Sequence, residues 1–313
     1  MTSKRVLIDT DTGVDDALAL ILALRSPGIS VEAITTVAGN VEVSKCTRNV
    51  RAIFRLLQLK HPPPLAQGAG KPLARKLFTA PEVHGTDGLG NTQGPVRRTE
   101  KHSEGDAVGL IIECCERYGK DLTIVALGPL TNIALAWREN PSALRKIRRI
   151  VSMGGAFDVR GNTGPVAEFN YYVDPEAAQI VLNSGLPITI VPLDLTERVV
   201  AMRNDWEELS RRAGGRVPLF ILRMTNAYML YHKKTEGFYG AFMHDPATVA
   251  VAIDPALVRT RKAHIKIETA GVLTRGMTTI VGTKPPNRIP FVDVATTMNR
   301  ELFLRRFYSC LWR

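Results

Sequence analysis

The residues most able to do chemistry come early. Asp9, Asp11, Asp15 and Asp16 fall in the run DTDTGVDD at positions 9–16. Four carboxylates crowded into so short a stretch repel one another unless a cation or hydrogen-bond donors relieve them. Carboxylates are hard oxygen ligands, suited to Ca²⁺ or Mg²⁺ rather than to soft metals. Helix capping would explain Asp15 or Asp16 but not all four. Gly13 allows a tight turn among them. The run therefore points to a metal site. Further along, Asn162, Glu168 and Asn170 in GNTGPVAEFN offer several directional hydrogen bonds, which suits a polyol. Beside Gly161, Asn162 on its own would read as a turn residue.

Three more groups bear on chemistry. His244 opens HDPATV, and an imidazole titrating at about 6.5 can serve as a general acid near neutral pH. The blander reading is a cap for the helix that starts at Pro246. His84 lies in the Gly-rich HGTDGLG, where a histidine is as often structural as ligand-binding. Tyr228, Tyr231 and His232 precede His244; aromatic rings there can stack on a planar ligand or pack into a core at helical spacing.

The elements that must hold these residues follow an alternating pattern. Arg5–Ile8 is a short apolar run ahead of the aspartates and predicts a buried strand. Asp15 and Asp16 then open an apolar helical stretch that stops at Ser26-Pro27-Gly28. Val31–Val37 is β-branched and strand-like. Ser44–Leu59 has helical spacing. Residues 60–103, rich in Pro, Gly and polar groups, predict a long loop. Helices are expected at 105–118, after Gly128-Pro129, at Pro175–Leu182, over 204–231, at Pro246–Ile253 and around 297–310. Strands are expected at Leu122–Leu127, Ile150–Met153 and Ile188–Val191, and in the IKIETA, MTTIVGT and VDVATT runs. Strands alternating with helices predict βαβ units and a mostly parallel sheet. Ligands of such sheets bind beyond the C-terminal ends of the strands. With no repeat and no flexible linker composition, residues 1–313 read as a single α/β domain, Rossmann-like, with helices flanking a central sheet.

Composition sets the outer limits. The chain has 313 residues, 45% hydrophobic and 23% charged, which excludes a disordered chain and a disulfide-stapled miniprotein. Cys46, Cys114, Cys115 and Cys310 form no CxxC pair, so reduced thiols in a reducing compartment are expected. The N-terminus does not read as a signal peptide and no apolar run approaches the ~20 residues of a membrane span, so a cytoplasmic protein without a membrane partner is expected. The net charge of +11 suggests nucleic acid as a partner. The charge, however, gathers in Arg145, Lys146, Arg148 and Arg149 and in the stretch 255–313, where 11 Lys+Arg face Glu268, Asp293 and Glu301. The candidate site is acidic, and no nucleic-acid-binding signature is present.

DTDTGVDDA resembles the DTDPGxDDA signature of the inosine–uridine-preferring nucleoside hydrolases, with Thr12 in place of the usual Pro. That change is expected to loosen the turn slightly. Further family-like segments follow in order: VAGN at 37–40, HGTDGLG at 84–90, ALGPLTNIA at 126–134, GNTGPVAEFNYYVDPEAA at 161–178 and HDPATV at 244–249. The resemblance implies a nucleoside hydrolase fold and Ca²⁺-dependent cleavage of the N-glycosidic bond of ribonucleosides, either inosine–uridine-preferring or pyrimidine-specific. It implies Ca²⁺ on Asp11, Asp16, Asp245 and the backbone carbonyl of Leu127. Asp15, Asn40, Asn162, Glu168 and Asn170 would hold the ribose, with Phe169 packed beside it. Asp11 would be the general base and His244 the general acid. His84, Tyr228 and Tyr231 would face the base or the sugar. It further implies a homodimer or homotetramer.

Two other classes compete. An Asp-rich turn after a first strand also suits a haloacid dehalogenase-like phosphatase, in which the first aspartate is the nucleophile. That reading leaves VAEFN and HDP unexplained. A binding protein that kept the pocket without the chemistry is the other, and the retention of Asp11, Asp16, His244 and Asp245 argues against it.

Overall fold

The computed structural model describes residues 4–92, 105–282 and 290–311. Among the described residues, nine strands make one sheet. In chain order they are β1 (Lys4–Thr10), β2 (Ile29–Thr36), β3 (Leu65–Gln67), β4 (Leu122–Ala126), β5 (Arg149–Met153) and β6 (Ile188–Val191), then β9 (Val258–Ile267), β10 (Thr278–Val281) and β11 (Phe291–Met298). Between β6 and β9, β7 (Val200–Met202) and β8 (Gly240–Phe242) pair with each other in a small antiparallel sheet.

The order across the large sheet is β10-β9-β11-β6-β5-β4-β1-β2-β3. Every neighbouring pair from β11 to β3 is parallel, and β9 and β10 close one edge antiparallel. β1 sits where the order reverses: β2 and β3 lie to one side, β4, β5 and β6 to the other. A crevice opens beyond the strand ends at such a point. β1 and β4 read as near-continuous apolar runs because both faces are covered. One layer holds the helices Val14–Arg25, Arg216–Thr235, His244–Ile253 and Arg300–Leu311, with Leu18, Ile21, Trp206 and Phe307 in its core. The opposite layer holds Ala107–Tyr118, Thr131–Glu139 and Pro175–Leu182, packed through Ile111, Ile133 and Val181.

The expected alternation is present, with four differences. The stretch 60–103, expected as a long loop, contains β3 and a one-turn helix, Pro81–His84; residues 93–103 of it lie outside the described residues. The helix expected over 204–231 is two helices, Arg203–Ala213 and Arg216–Thr235, broken where Gly214 and Gly215 take positive φ. The small β7–β8 sheet is unanticipated. The last helix starts at Arg300 because β11 runs on to Met298. All four cysteines are free, and Cys46, Cys114 and Cys115 are buried.

Candidate active site

A cavity of about 570 Å³ opens beyond the C-terminal ends of β1, β2, β4 and β5. Asp15, Asn40, Leu127, Met153, Glu168, Asn170 and Asp245 line its inner part, and His84, Phe169, Tyr228, Tyr231, His232 and His244 its walls. Asn162 contributes from the loop before Glu168. Asp11 and Asp16 are fully buried and lie just behind the lining.

The turn after β1 is tied by its own side chains. Asp16 accepts from Thr10 Oγ1 (2.5 Å), from the Gly13 N–H (2.9 Å) and from Asn40 Nδ2 (3.0 Å). The expected loosening by Thr12 is not what the structure contains. The Thr12 N–H donates to Thr10 Oγ1 at 3.2 Å, and its hydroxyl lies at 3.2 Å from the same oxygen. A proline there would have no N–H to give. Asp11 accepts from the Asn40 N–H through Oδ2 (2.7 Å), and Cys46 Sγ donates to the Asp11 carbonyl (3.0 Å). The Gly residues make room: a Cβ on Gly39 would lie 2.1 Å from Asp11 Oδ2, and one on Gly128 2.8 Å from Asp11 Oδ1.

Asp11 Oδ1 and Asp15 Oδ1 are buried without a hydrogen-bond partner. Among the described residues, Asp15, Asp16 and Asp245 can bring one carboxylate oxygen each within 4.8 Å of one another. This trio differs from the expected ligand set in having Asp15 where Asp11 was anticipated. Asp11 lies against Gly128, next to Leu127, and its side chain also interacts with Asp16. Burial first, and then the charge of neighbouring aspartates, pushes Asp11, Asp15 and Asp245 well above the usual carboxylate range. Asp16 is raised by burial too, against the pull of its donors. Unpartnered, mutually repelling, all-oxygen donors fit a hard cation. Asp245 stands in the first turn of the helix His244–Ile253, where the dipole favours a negative charge.

The polyol-binding candidates are each held by a second bond. Glu168 caps the helix Phe169–Val173, accepting from the N–H groups of Asn170 (2.7 Å), Tyr171 (3.1 Å) and Gly155 (3.1 Å). Burial nevertheless moves its pKa up to about 7. Asn170 Nδ2 donates to the Leu127 carbonyl at 2.7 Å, which leaves Oδ1 for a ligand and a second lone pair on that carbonyl. Asn162 is exposed, and its Oδ1 accepts from the Phe169 N–H (2.8 Å), so its amide NH₂ is the free end.

The histidines depart from expectation in one respect. Burial pushes both His84 and His244 down to about 3, so neither titrates near its ordinary value and both are neutral at pH 7. The Val14 N–H donates to His84 Nδ1 at 3.1 Å, which makes Nε2 the protonated nitrogen and a hydrogen-bond donor. His244 Nδ1 lies 2.7 Å from Thr196 Oγ1. His84 stacks on Tyr228 at 5.6 Å, and Tyr228 meets His232 edge-on at 4.3 Å. Tyr228 is therefore both core residue and cavity wall, and Tyr231 is half-buried at the cavity. Phe169 lies 6.3 Å from Phe78. Thr196, Glu197, Glu236, Glu82 and Arg160 also line or support the cavity and were not foreseen. Thr196 and Glu197 follow β6, so inspecting every loop after a strand would have reached them.

Fold and site together define an α/β protein whose carboxylate-floored, aromatic-walled cavity lies at the switch point of a parallel sheet. The model of the inosine-uridine preferring nucleoside hydrolases matches residues 6–305, and the chain belongs to that family. It is 42% identical to a pyrimidine-specific ribonucleoside hydrolase, RihA, of Enterobacter sp. (strain 638), over 92% of this chain and 93% of that one. Among solved structures it resembles the plant nucleoside hydrolase PpNRh1, with a TM-score of 0.93, 34% identity and 99% of each chain covered. It likewise resembles a purine-preferring ribonucleoside hydrolase from Gardnerella vaginalis, with a TM-score of 0.90 and 34% identity over 99% of this chain and 98% of that one.

Proposed function

We propose that this protein hydrolyses the N-glycosidic bond of ribonucleosides to free base and ribose, with pyrimidine ribonucleosides as its first substrates. The observation that carries the reading is the split character of one cavity: a floor of carboxylates and amides for a diol, under aromatic walls for a planar base. The 42% identity to a pyrimidine-specific relative supports the choice of base. The 34% identity to a purine-preferring structure makes inosine the second candidate.

Asp11, Asp16 and Asp245, with the Leu127 carbonyl, would hold Ca²⁺, and Asp15 stands within 4.8 Å of Asp16 and Asp245. When bound, Ca²⁺ supplies a Lewis acid that acidifies a water and orients the ribose hydroxyls. Asp15, Asn40, Asn162, Glu168 and Asn170 position the ribose so that the C1′–N bond faces the reacting water. Asp11, through its unpartnered Oδ1, accepts the water's proton. As the C1′–N bond lengthens, charge builds toward an oxocarbenium-like sugar, as in glycoside hydrolysis. Neutral His244, oriented by Thr196, hydrogen-bonds the departing base, and His84 offers its Nε2–H on the other side. A homodimer or homotetramer in the cytoplasm completes the proposal; exposed Val272, Leu273, Ile280 and Phe291 on or beside β10 and β11 support self-association.

A panel of uridine, cytidine, inosine and adenosine, assayed for ribose release with Ca²⁺ and with EDTA, tests the reading. Metal-independent turnover, or none of any nucleoside, would overturn it. Asp11→Ala is expected to lower kcat by at least about 100-fold with the fold kept, since general base catalysis contributes about 10²–10⁴-fold. Full activity in that variant removes Asp11 from the base role.

A further inference from the structure

The cavity's outer end carries charge that the hydrolytic chemistry does not use. Glu197 follows the short helix Leu193–Thr196, Glu236 ends the helix Arg216–Thr235, and Glu82 stands on the turn Pro81–His84. All three line the cavity, and among the described residues none is in an ion pair. Glu197 is half-buried and feels the charge of Glu236, and Tyr231 lies within the field of both Glu236 and Glu82.

His232 adds a second, independent observation. It is 4% exposed and lines the same end of the cavity. Its Nδ1 lies 3.0 Å from the Gly240 carbonyl, which can only accept, so Nδ1 carries the proton. Burial lowers its pKa to about 4, which keeps the ring neutral. Nε2 is then a lone-pair acceptor, and no hydrogen bond reaches it among the described residues. The wall at this end thus presents acceptors: an imidazole lone pair and carboxylates. His84, whose Nε2 carries its proton, stacks on Tyr228, and the Tyr228 ring meets His232 edge-on.

We propose that Glu197, Glu236 and the Nε2 of His232 form an acceptor edge that reads the exocyclic amino group of a nucleobase. The enzyme would then favour amino bases (cytosine, adenine) over their oxo counterparts (uracil, hypoxanthine). An amino group donates to this edge. Above the pKa of about 7 to which burial raises Glu197, an oxo group turns a lone pair toward carboxylates that have no proton to give, and the half-buried Glu197 and the Nε2 of His232 are left unmet. The inference rests on the ribonucleoside hydrolase reading of the same cavity and adds which edge of the base is recognised.

The test is the ratio of kcat/KM for cytidine over uridine, and for adenosine over inosine. It is measured at pH 8 with Ca²⁺ in the wild type, Glu197→Gln, Glu236→Gln and the double variant. Glutamine keeps the shape but adds an N–H₂ that can meet an oxo group. The wild-type ratio is expected to exceed one for whichever pair is cleaved, and to fall by about 10-fold in the double variant. The fall should come mainly from faster cleavage of the oxo nucleoside, which a merely misfolded variant would not produce. Equal cleavage of amino and oxo partners, or a ratio untouched in all three variants while turnover persists, overturns the inference and spares the hydrolase reading. No cleavage of any nucleoside by the wild type overturns both.

Discussion

Crowding of side chains around the β1 turn makes individual small residues decisive. A Cβ on Gly13 would lie 2.6 Å from both Asn40 Nδ2 and His84 Nδ1. Gly13 has φ of −90°, so space and not backbone conformation is what alanine would violate. Relieving the clash means swinging Asn40 off Asp16 and His84 off the Val14 N–H, two bonds that aim the floor and the wall. Gly13→Ala is expected to cut kcat/KM by about 100-fold or more, the scale of a misplacement of about 1 Å at a reacting centre. Its melting temperature should change little by comparison. Steady-state kinetics beside a thermal melt decides, and near-wild-type kinetics would show that the pair tolerates displacement. The aspartates were legible in the sequence because all four fall in the run 9–16, and their mutual repulsion follows from spacing alone. The neutral state of His84 and His244 was not, since burial is a property of the folded chain. Nor was the Thr12–Thr10 contact, which depends on how the turn closes.

Between elements, the HGTDGLG loop is clamped to the helix that carries Tyr228, Tyr231 and His232. Gly90 has φ of +66°, and a Cβ there would lie 2.3 Å from the Met224 carbonyl oxygen of that helix. Backbone cannot swing aside as a side chain can. Gly90→Ala is expected to cost about 1–3 kcal/mol from the positive φ alone, with the clash added, and to raise KM by shifting the aromatic wall. Denaturant melts and KM for one nucleoside check both. A second element-scale effect concerns Glu197. Burial first, then Glu236 and Asp194, raises its pKa from 4.5 to about 7. A carboxyl raised on folding binds more protons in the native state, so its contribution to stability falls as pH rises from about 4.5 through 7. Glu197→Gln removes that loss. The melting temperature of the variant relative to wild type is therefore expected to grow between pH 5 and pH 8, and a difference independent of pH would refute the assignment. The large sheet was legible because alternating strands and helices leave local signals. The β7–β8 pair was not: three-residue strands 40 positions apart, at Val200 and Gly240, carry no local mark of their pairing. Glu197 and Glu236 escaped notice for the same reason, since they meet only through the tertiary fold.

At the scale of the molecule, the basic cluster before β5 and the acidic site sit at opposite ends of that strand. Arg145, Lys146 and Arg148 are exposed just before β5 begins, while the cavity lies past its last residue, Met153. Arg259, Arg261, Lys262 and Lys266 are exposed along β9, toward the antiparallel edge. A five-residue strand spans about 16 Å, roughly twice the Debye length of about 8 Å at physiological ionic strength. The basic cluster before β5 is thus screened from the cavity, and a nucleoside carries no net charge for it to steer. Turnover should accordingly be nearly indifferent to salt, with kcat/KM for uridine or cytidine varying by less than about 2-fold between 50 and 200 mM KCl at saturating Ca²⁺. A polyanion ligand read by the same surface would lose affinity by about 10³–10⁵-fold over that interval if 6–10 phosphates were contacted. The two outcomes are far apart. A steep salt dependence of kcat/KM would mean that the basic face takes part in substrate capture. Flat kinetics would leave that face to solvent or to a second copy of the chain.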